Sequence, residues 1–396
     1  MSYDETDFQI FTLFTDPDNW SKEKLMELLC RDMPNEEHVN AYCHISSSAL
    51  VIKPEDVRST LGDLESLPRE ILHKTLEELS FASIEIFSRT CRAARLLVDK
   101  VMAYRELIRF IPKILTIFSD TRLMQYHSVA DVRQELHFRY CRSCGDVGTY
   151  LFLPTCERVC LTCLNFNQAY WCLPQSQVSQ AFALPDNVVE TLPVQIISQS
   201  SYRSTEEWPE LDTTQYQLVA VKSALQVAIN WHGSQAKVQE EGNLISPDKF
   251  ADSSATECEE GALFRYLREA KLGPLAHNPS LDPPPTRTLV HHEFHGLASI
   301  WIPFMPHRGT IPEKLYFCGG CQNIVKRFDP NISDRVLGQM DIDPGMPFQE
   351  IRRRLLGKAW KARTWDEMVE HIRSECSGGR GMMFEEKMAA FGAVAG

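Results

Sequence analysis

The chain has 396 residues, enough for two or three domains with cores of their own, and carries 41 Lys and Arg against 53 Asp and Glu, a formal charge of −12. That balance argues against attachment to nucleic acid or to an anionic membrane through overall charge. Thirteen cysteines are an odd number, and their three Cys-x-x-Cys pairs fit metal ligation in a reducing compartment better than a secreted disulfide framework.

Residues 1–60 read as an N-terminal extension. Met1 to Asp18 is acidic with scattered aromatics and lacks the basic start and apolar core of a signal peptide. No apolar run reaches the roughly 18 residues that cross a bilayer, so a soluble protein of the cytoplasm or nucleus is expected. Within the extension, Ser21 can cap a helix over Lys22 to Cys30.

From 61 to 113 the pattern becomes closely spaced amphipathic helices, broken near Ser80 to Ser83 and stopped before Pro112. Pro68 sits where a first helical turn tolerates a missing N–H, and Glu70 favours the positive helix end. Ile71, Leu72, Leu76 and Leu79 supply the apolar face. Ser80 can cap a second helix whose apolar set is Ile84, Phe87, Cys91 and Leu97. Arg89, Arg92, Arg95, Lys100, Arg105 and Arg109 read as the solvated face of this stretch, as do Arg352, Arg353, Arg354, Lys358, Lys361 and Arg363 of a later one.

A zinc module is expected over 136–185. Cys141/Cys144 and Cys160/Cys163 place four soft thiolates at a spacing that closes a tetrahedral zinc site. Gly145 to Val159 reads as a β-hairpin that brings the pairs together, and the chain after Cys163 reads as helical. A knuckle, a hairpin and a ligand pair at a helix start resemble a treble-clef or ribbon module. Cys156 is an alternative ligand, while Cys172 is a core residue. Six cysteines invite comparison with two-zinc DNA-binding clusters, but eleven residues separate Cys144 from Cys156 and Gly145 to Thr155 lacks the Lys and Arg of a reading helix.

Residues 186–289 read as a mixed helical and loop region: Gln217 to Trp231 as a buried helix, Gln239 to Gly261 as an acidic surface loop, and Pro283 to Pro285 as a stiff turn. A second zinc-stabilised subdomain is expected over 290–376. Leu297 to Phe304 is strand-like, and Lys314 to Phe317 leads into Cys318-Gly-Gly-Cys321. The remaining ligands of this second zinc are expected at His371 and Cys376, at the end of a helix over Trp365 to Ser374. Five positions turn about 140° past a full revolution, so the last helical turn must loosen for both to face one ion. His291, His292 and His295 miss the His-Glu-x-x-His spacing of a metalloprotease and read as a polar strand entry. The tail from 377 to 396 is expected to be flexible.

Ser66-Leu-Pro-Arg-Glu-Ile-Leu through Leu76, Leu79, Ile84, Phe87, Ser88 and Thr90-Cys91-Arg92 resembles the F-box, with Ala94 where many F-boxes carry an aromatic. With the cysteine motifs that follow, the chain resembles a group of fungal F-box proteins with cysteine-rich C-terminal regions. The resemblance implies a three-helix unit that docks on a Skp-family adaptor of a cullin-type ubiquitin ligase through Leu67, Pro68, Ile71, Ile84 and Phe87.

These readings combine into an α+β chain: a helical F-box unit, then a loop-rich α+β region held by two structural zinc ions. It is expected to be a non-catalytic adaptor that presents an unknown protein substrate, with no membrane or nucleic-acid partner. The competing readings are a zinc-stabilised nucleic-acid-binding regulator using the basic helices, and a metal-dependent hydrolase using the histidine cluster.

Overall fold

A computed structural model describes residues 21–32, 59–198, 215–245, 255–272, 299–306, 311–326, 337–338, 340–374 and 376. The chain divides into two compact units, 36–159 with 163–312, and 1–35 with 160–162 and 313–396. Helix and sheet are mixed. Ser21 accepts a hydrogen bond from the Lys24 amide at 3.3 Å and starts α1 (Lys22–Leu29) as its sequence predicts. Cys30 does not end that helix. It opens β1 (Cys30–Asp32).

The described part of the larger unit opens with a short 3-10 helix (Gly62–Ser66), followed by α2 (Arg69–Glu78), α3 (Phe81–Thr90), α4 (Arg92–Val98) and α5 (Met102–Phe110). Pro68 immediately precedes α2, one position earlier than the expected first turn. The Ser80 hydroxyl accepts the Ser83 amide at 3.2 Å, the predicted cap. One helix was expected to run through Cys91 to Leu97, and two are found. Cys91 is extended at φ −158°, and its sulfur accepts the Ala94 amide, so it caps α4 instead of continuing α3. Ala94 is fully buried there. Next come α6 (Ile114–Asp120) and α7 (Val129–His137), the latter opened by a complete Ser128/Asp131 capping box. Phe81, Leu107, Ile114, Phe118, Val132 and Leu136 interlock these helices into one core.

The expected hairpin forms from β2 (Tyr150–Phe152) and β3 (Glu157–Val159), with Tyr150 opposite Val159. It is followed by α8 (Leu161–Phe166). Then β4 (Cys172–Pro174), α9 (Gln175–Phe182), β5 (Val194–Ser198) and β6 (Gln215–Ala220) build a second sheet in the order β4-β6-β5. The predicted helix over Gln217 to Trp231 is therefore only partly right. Its first residues pair between two strands as β6, and α10 (Val221–His232) begins after them. The acidic loop expected from Gln239 is also corrected. Residues on either side of 246–254 lie in α11 (Gln235–Ile245) and α12 (Ala255–Arg268), because Val238, Leu263, Phe264 and Leu267 have a core to enter. The strand-like run at Leu297 contributes β7 (Ser299–Trp301), which pairs with β2 and extends the hairpin to three strands. Cys43, Pro283 to Pro285, His291, His292, His295 and the tail from Ser377 lie outside the described residues.

In the smaller unit, β8 (Tyr316–Cys318) pairs antiparallel with β1, placing Cys30 opposite Cys318. Then follow α13 (Gly319–Lys326), α14 (Phe348–Ala359) and α15 (Trp365–Ser374), the last with the predicted bounds. Tyr316 and Arg363 exchange both backbone hydrogen bonds, tying the strand to the start of α15. Leu25, Leu29, Ile351, Leu355, Met368 and Ile372 form the core around the cysteines. Among the described residues no helix is long and apolar enough to cross a membrane.

Candidate metal centres and docking face

Cys141 and Cys144 lie on a tight turn. The Gly145 amide donates to the Cys141 carbonyl, and Gly145 itself sits at φ +79°, where a side chain would be strained. The hairpin returns the chain to Cys160 and to Cys163, which lies within α8. Sulfurs of Cys141, Cys144, Cys160 and Cys163 lie within 4.8 Å of one another, with Cys144 the only partly exposed member. Cys156 is not among them. It occupies the hairpin turn at φ 51°, packs into the helical core, and burial pushes its thiol well up. Cys172 is wholly buried and pushed up to about 12 for the same reason. Both are core cysteines.

A buried arginine braces this module. Arg158, on β3, is fully buried and donates from Nε to the Glu135 carbonyl at 2.7 Å, from Nη1 to Gly148 at 2.8 Å and from Nη2 to Pro303 at 2.6 Å. Its amide donates to the Glu135 carboxylate, which also accepts from Nε and Nη2 of Arg142. Burial lowers Arg158 to about 9 despite Glu135. Gly148 is required beside it: an added Cβ would lie 2.5 Å from Arg158 Cγ and 3.2 Å from the Cys141 amide nitrogen. Neither Arg158 nor Glu135 stood out in the sequence, since a buried arginine has no local signature.

The second cluster assembles the predicted Cys318, Cys321, His371 and Cys376, all buried, with ligand atoms within 4.8 Å of one another. Cys318 ends β8, and Cys321 lies in the first turn of α13, where its amide donates to Cys318 Sγ. The two glycines between them are helical rather than left-handed. His371 projects from α15. The Cys376 amide then donates to the His371 carbonyl at 3.0 Å, five residues back, and this wide turn is the loosening that lets both side chains meet. Cys318 Sγ lies 3.2 Å from Cys376 Sγ, and Cys321 Sγ lies 3.2 Å from His371 Nε2 and 3.7 Å from Cys376 Sγ.

Ligands of one zinc stand about 3.8 Å apart for sulfur at ordinary bond lengths, so both donor sets fit one ion each. Cys318 supports this chemically. Hydrogen bonds from Cys321 and Cys376 hold its thiol well below the usual range against the cost of burial, while the same contacts push Cys321 and Cys376 up. A thiolate is therefore favoured at the centre of the cluster. These two groups could hold metal ions, and closed sets of four protein ligands suit a structural ion.

Of the five predicted docking residues, Leu67 is 43% exposed, Pro68 is exposed and Ile71 is 51% exposed, together forming an apolar edge at the start of α2. Phe87 is partly buried. Ile84 is only 4% exposed and faces the core. Unpredicted Ile86 and Leu96 are more open than Phe87. The second basic stretch is not an open cationic face. Arg353 and Arg354 both bind Glu350, and buried Arg363 donates to the Lys358 and Lys361 carbonyls.

Residues 64–106 match the F-box domain model. No curated protein and no solved structure shows significant similarity to the chain. F-box domains typically bind Skp-family proteins within cullin ligases, so this domain points to protein–protein interaction and a substrate-adaptor role.

Proposed function

We propose that this F-box chain docks on a Skp-family adaptor and presents a protein substrate to a cullin-type ubiquitin ligase. The observation that carries the reading is the exposed apolar edge of Leu67, Pro68 and Ile71 inside the matched domain. Covering one such aliphatic side chain contributes about 1.5–3 kcal/mol, enough for a small edge to anchor a complex. Phe87 completes the contact, and Ile84 supports it from beneath. Ubiquitin transfer takes place on the ligase's partner enzyme, and the chain itself acts by placement.

In this reading Cys141, Cys144, Cys160 and Cys163 hold one zinc in a ribbon-like module, and Cys318, Cys321, His371 and Cys376 hold another. Zinc supplies crosslinking here and no reaction. Each ion contributes an apparent binding free energy of about 10–16 kcal/mol to the folded form, offset by the cost of ordering its loops. The test is co-purification with a Skp-family adaptor, comparing wild type with Leu67→Asp/Ile71→Asp. Both positions are exposed, so the folded core should survive. Recovery of adaptor with wild type and its loss from the variant is expected; equal recovery, or none with either, sinks the proposal.

A further inference from the structure

The larger unit carries a second surface that the F-box contact leaves unused. An open groove of about 790 Å³ runs along α5 and α7, and none of Leu67, Pro68, Ile71, Ile84 or Phe87 lines it. We infer that this groove binds an acidic peptide segment bearing an apolar side chain, supplied by the substrate protein. As a substrate site it rests on the adaptor reading; as a peptide site it stands on its own lining.

Met102, Arg105 and Arg109 follow one another at helical spacing along the exposed stripe of α5, with Lys100 just before it. The two lining carboxylates are already committed. Asp99 lies 3.6 Å from Arg95, and Glu106 lies 2.9 Å from Arg133 and 3.0 Å from His137. Hydrogen bonds from Arg133 and His137 lower the Glu106 carboxyl despite its partial burial. Among the described residues neither Lys100 nor Arg105 has an ionic partner, and the Arg109 guanidinium lies 5.1 Å from the Phe110 ring centroid. The groove therefore holds a local cationic surplus on a chain of net charge −12.

Its other chemistry is apolar. Met102 is 73% exposed, and the partly buried Tyr104, Ile108 and Phe110 line the groove around it. Methionine adapts to side chains of varied shape, so the groove offers an anchor flanked by cations. Exposed ion pairs contribute about 0.2–1 kcal/mol each, which makes them selectors of charge while the anchor supplies affinity. A nucleic acid fits less well, because it has no apolar side chain for Met102.

The test uses the full zinc-loaded chain and fluorescein-labelled peptides in anisotropy titrations. One peptide has a central phenylalanine flanked by aspartate and glutamate; its control carries asparagine and glutamine instead. Arg105→Glu/Arg109→Glu and Met102→Asp are compared with wild type, with circular dichroism confirming the fold. The acidic peptide should bind more tightly than the control, weaken with added salt, and lose about tenfold or more in affinity with either variant. Equal binding of both peptides, no effect of the variants, or preference for an oligonucleotide probe would overturn the assignment. Adaptor recovery is measured on the same variants: its retention with lost peptide binding separates this groove from the docking edge, whereas its absence from wild type counts against the adaptor reading alone.

Discussion

The two cysteine clusters use the same number of ligands but close very different lengths of chain. The first draws Cys141, Cys144, Cys160 and Cys163 from a turn, the end of the hairpin beside it and the helix that follows, whereas the second joins Cys318 to Cys376 across most of its unit. The first is also braced without metal by the Arg158 and Glu135 network. The second has an apolar core converging on the ligands themselves. Similar donor sets can thus carry unequal shares of a fold, depending on what else spans the same loop.

The largest effect should come from Cys376→Ala. It removes a ligand that, with His371, ties the end of α15 to β8 and α13, so one of two zinc ions should be lost together with the protease resistance of α13 to α15. Retention of both ions and an unchanged digest would show that the apolar core suffices. Arg158→Met attacks the other brace. It strips the Glu135, Gly148 and Pro303 carbonyls of their buried donors, so a loss of about 3–5 kcal/mol is expected in denaturant unfolding. Both zinc ions should remain at low denaturant. Gly148→Ala is a milder version, expected to cost about 1–3 kcal/mol because the new methyl collides with Arg158. Pairing it with Arg158→Met should give less than the sum of the two losses.

A pH series sharpens the second cluster in particular. Cys321 and Cys376 have raised folded-state values, so a bound zinc must displace their protons, and only Cys318 favours its thiolate beforehand. Because protons compete, zinc affinity rises with pH and falls on acidification. Transfer of zinc from wild type to a colorimetric chelator should therefore increase from pH 8 to pH 6; transfer independent of pH would contradict this proton count.

Both clusters were legible because Cys-x-x-Cys spacing is a local geometric constraint, and the helix over Trp365 to Ser374 followed from its own periodicity. The pairing of Cys376 with His371 needed one further physical step, the wide turn that follows α15. What escaped the sequence is long-range. Gln215–Ala220 pairs with strands on both sides, yet its apolar run reads equally as helix until those partners are known. Acidic residues beyond Gln239 disguised helices whose buried face is supplied by a few apolar positions. Arg158 became meaningful only once Gly148 and Pro303 met it across the fold. Arg105 and Arg109 were visible in the sequence, but the pairing of the groove's Asp99 and Glu106 with other groups was not.

The adaptor reading is tested most directly by native mass spectrometry of the chain co-expressed with a Skp-family protein. A complex of one chain, one adaptor and two zinc ions is expected. A chain that flies alone and free of zinc, although the adaptor is present in excess, would refute both the docking edge and the metal clamps.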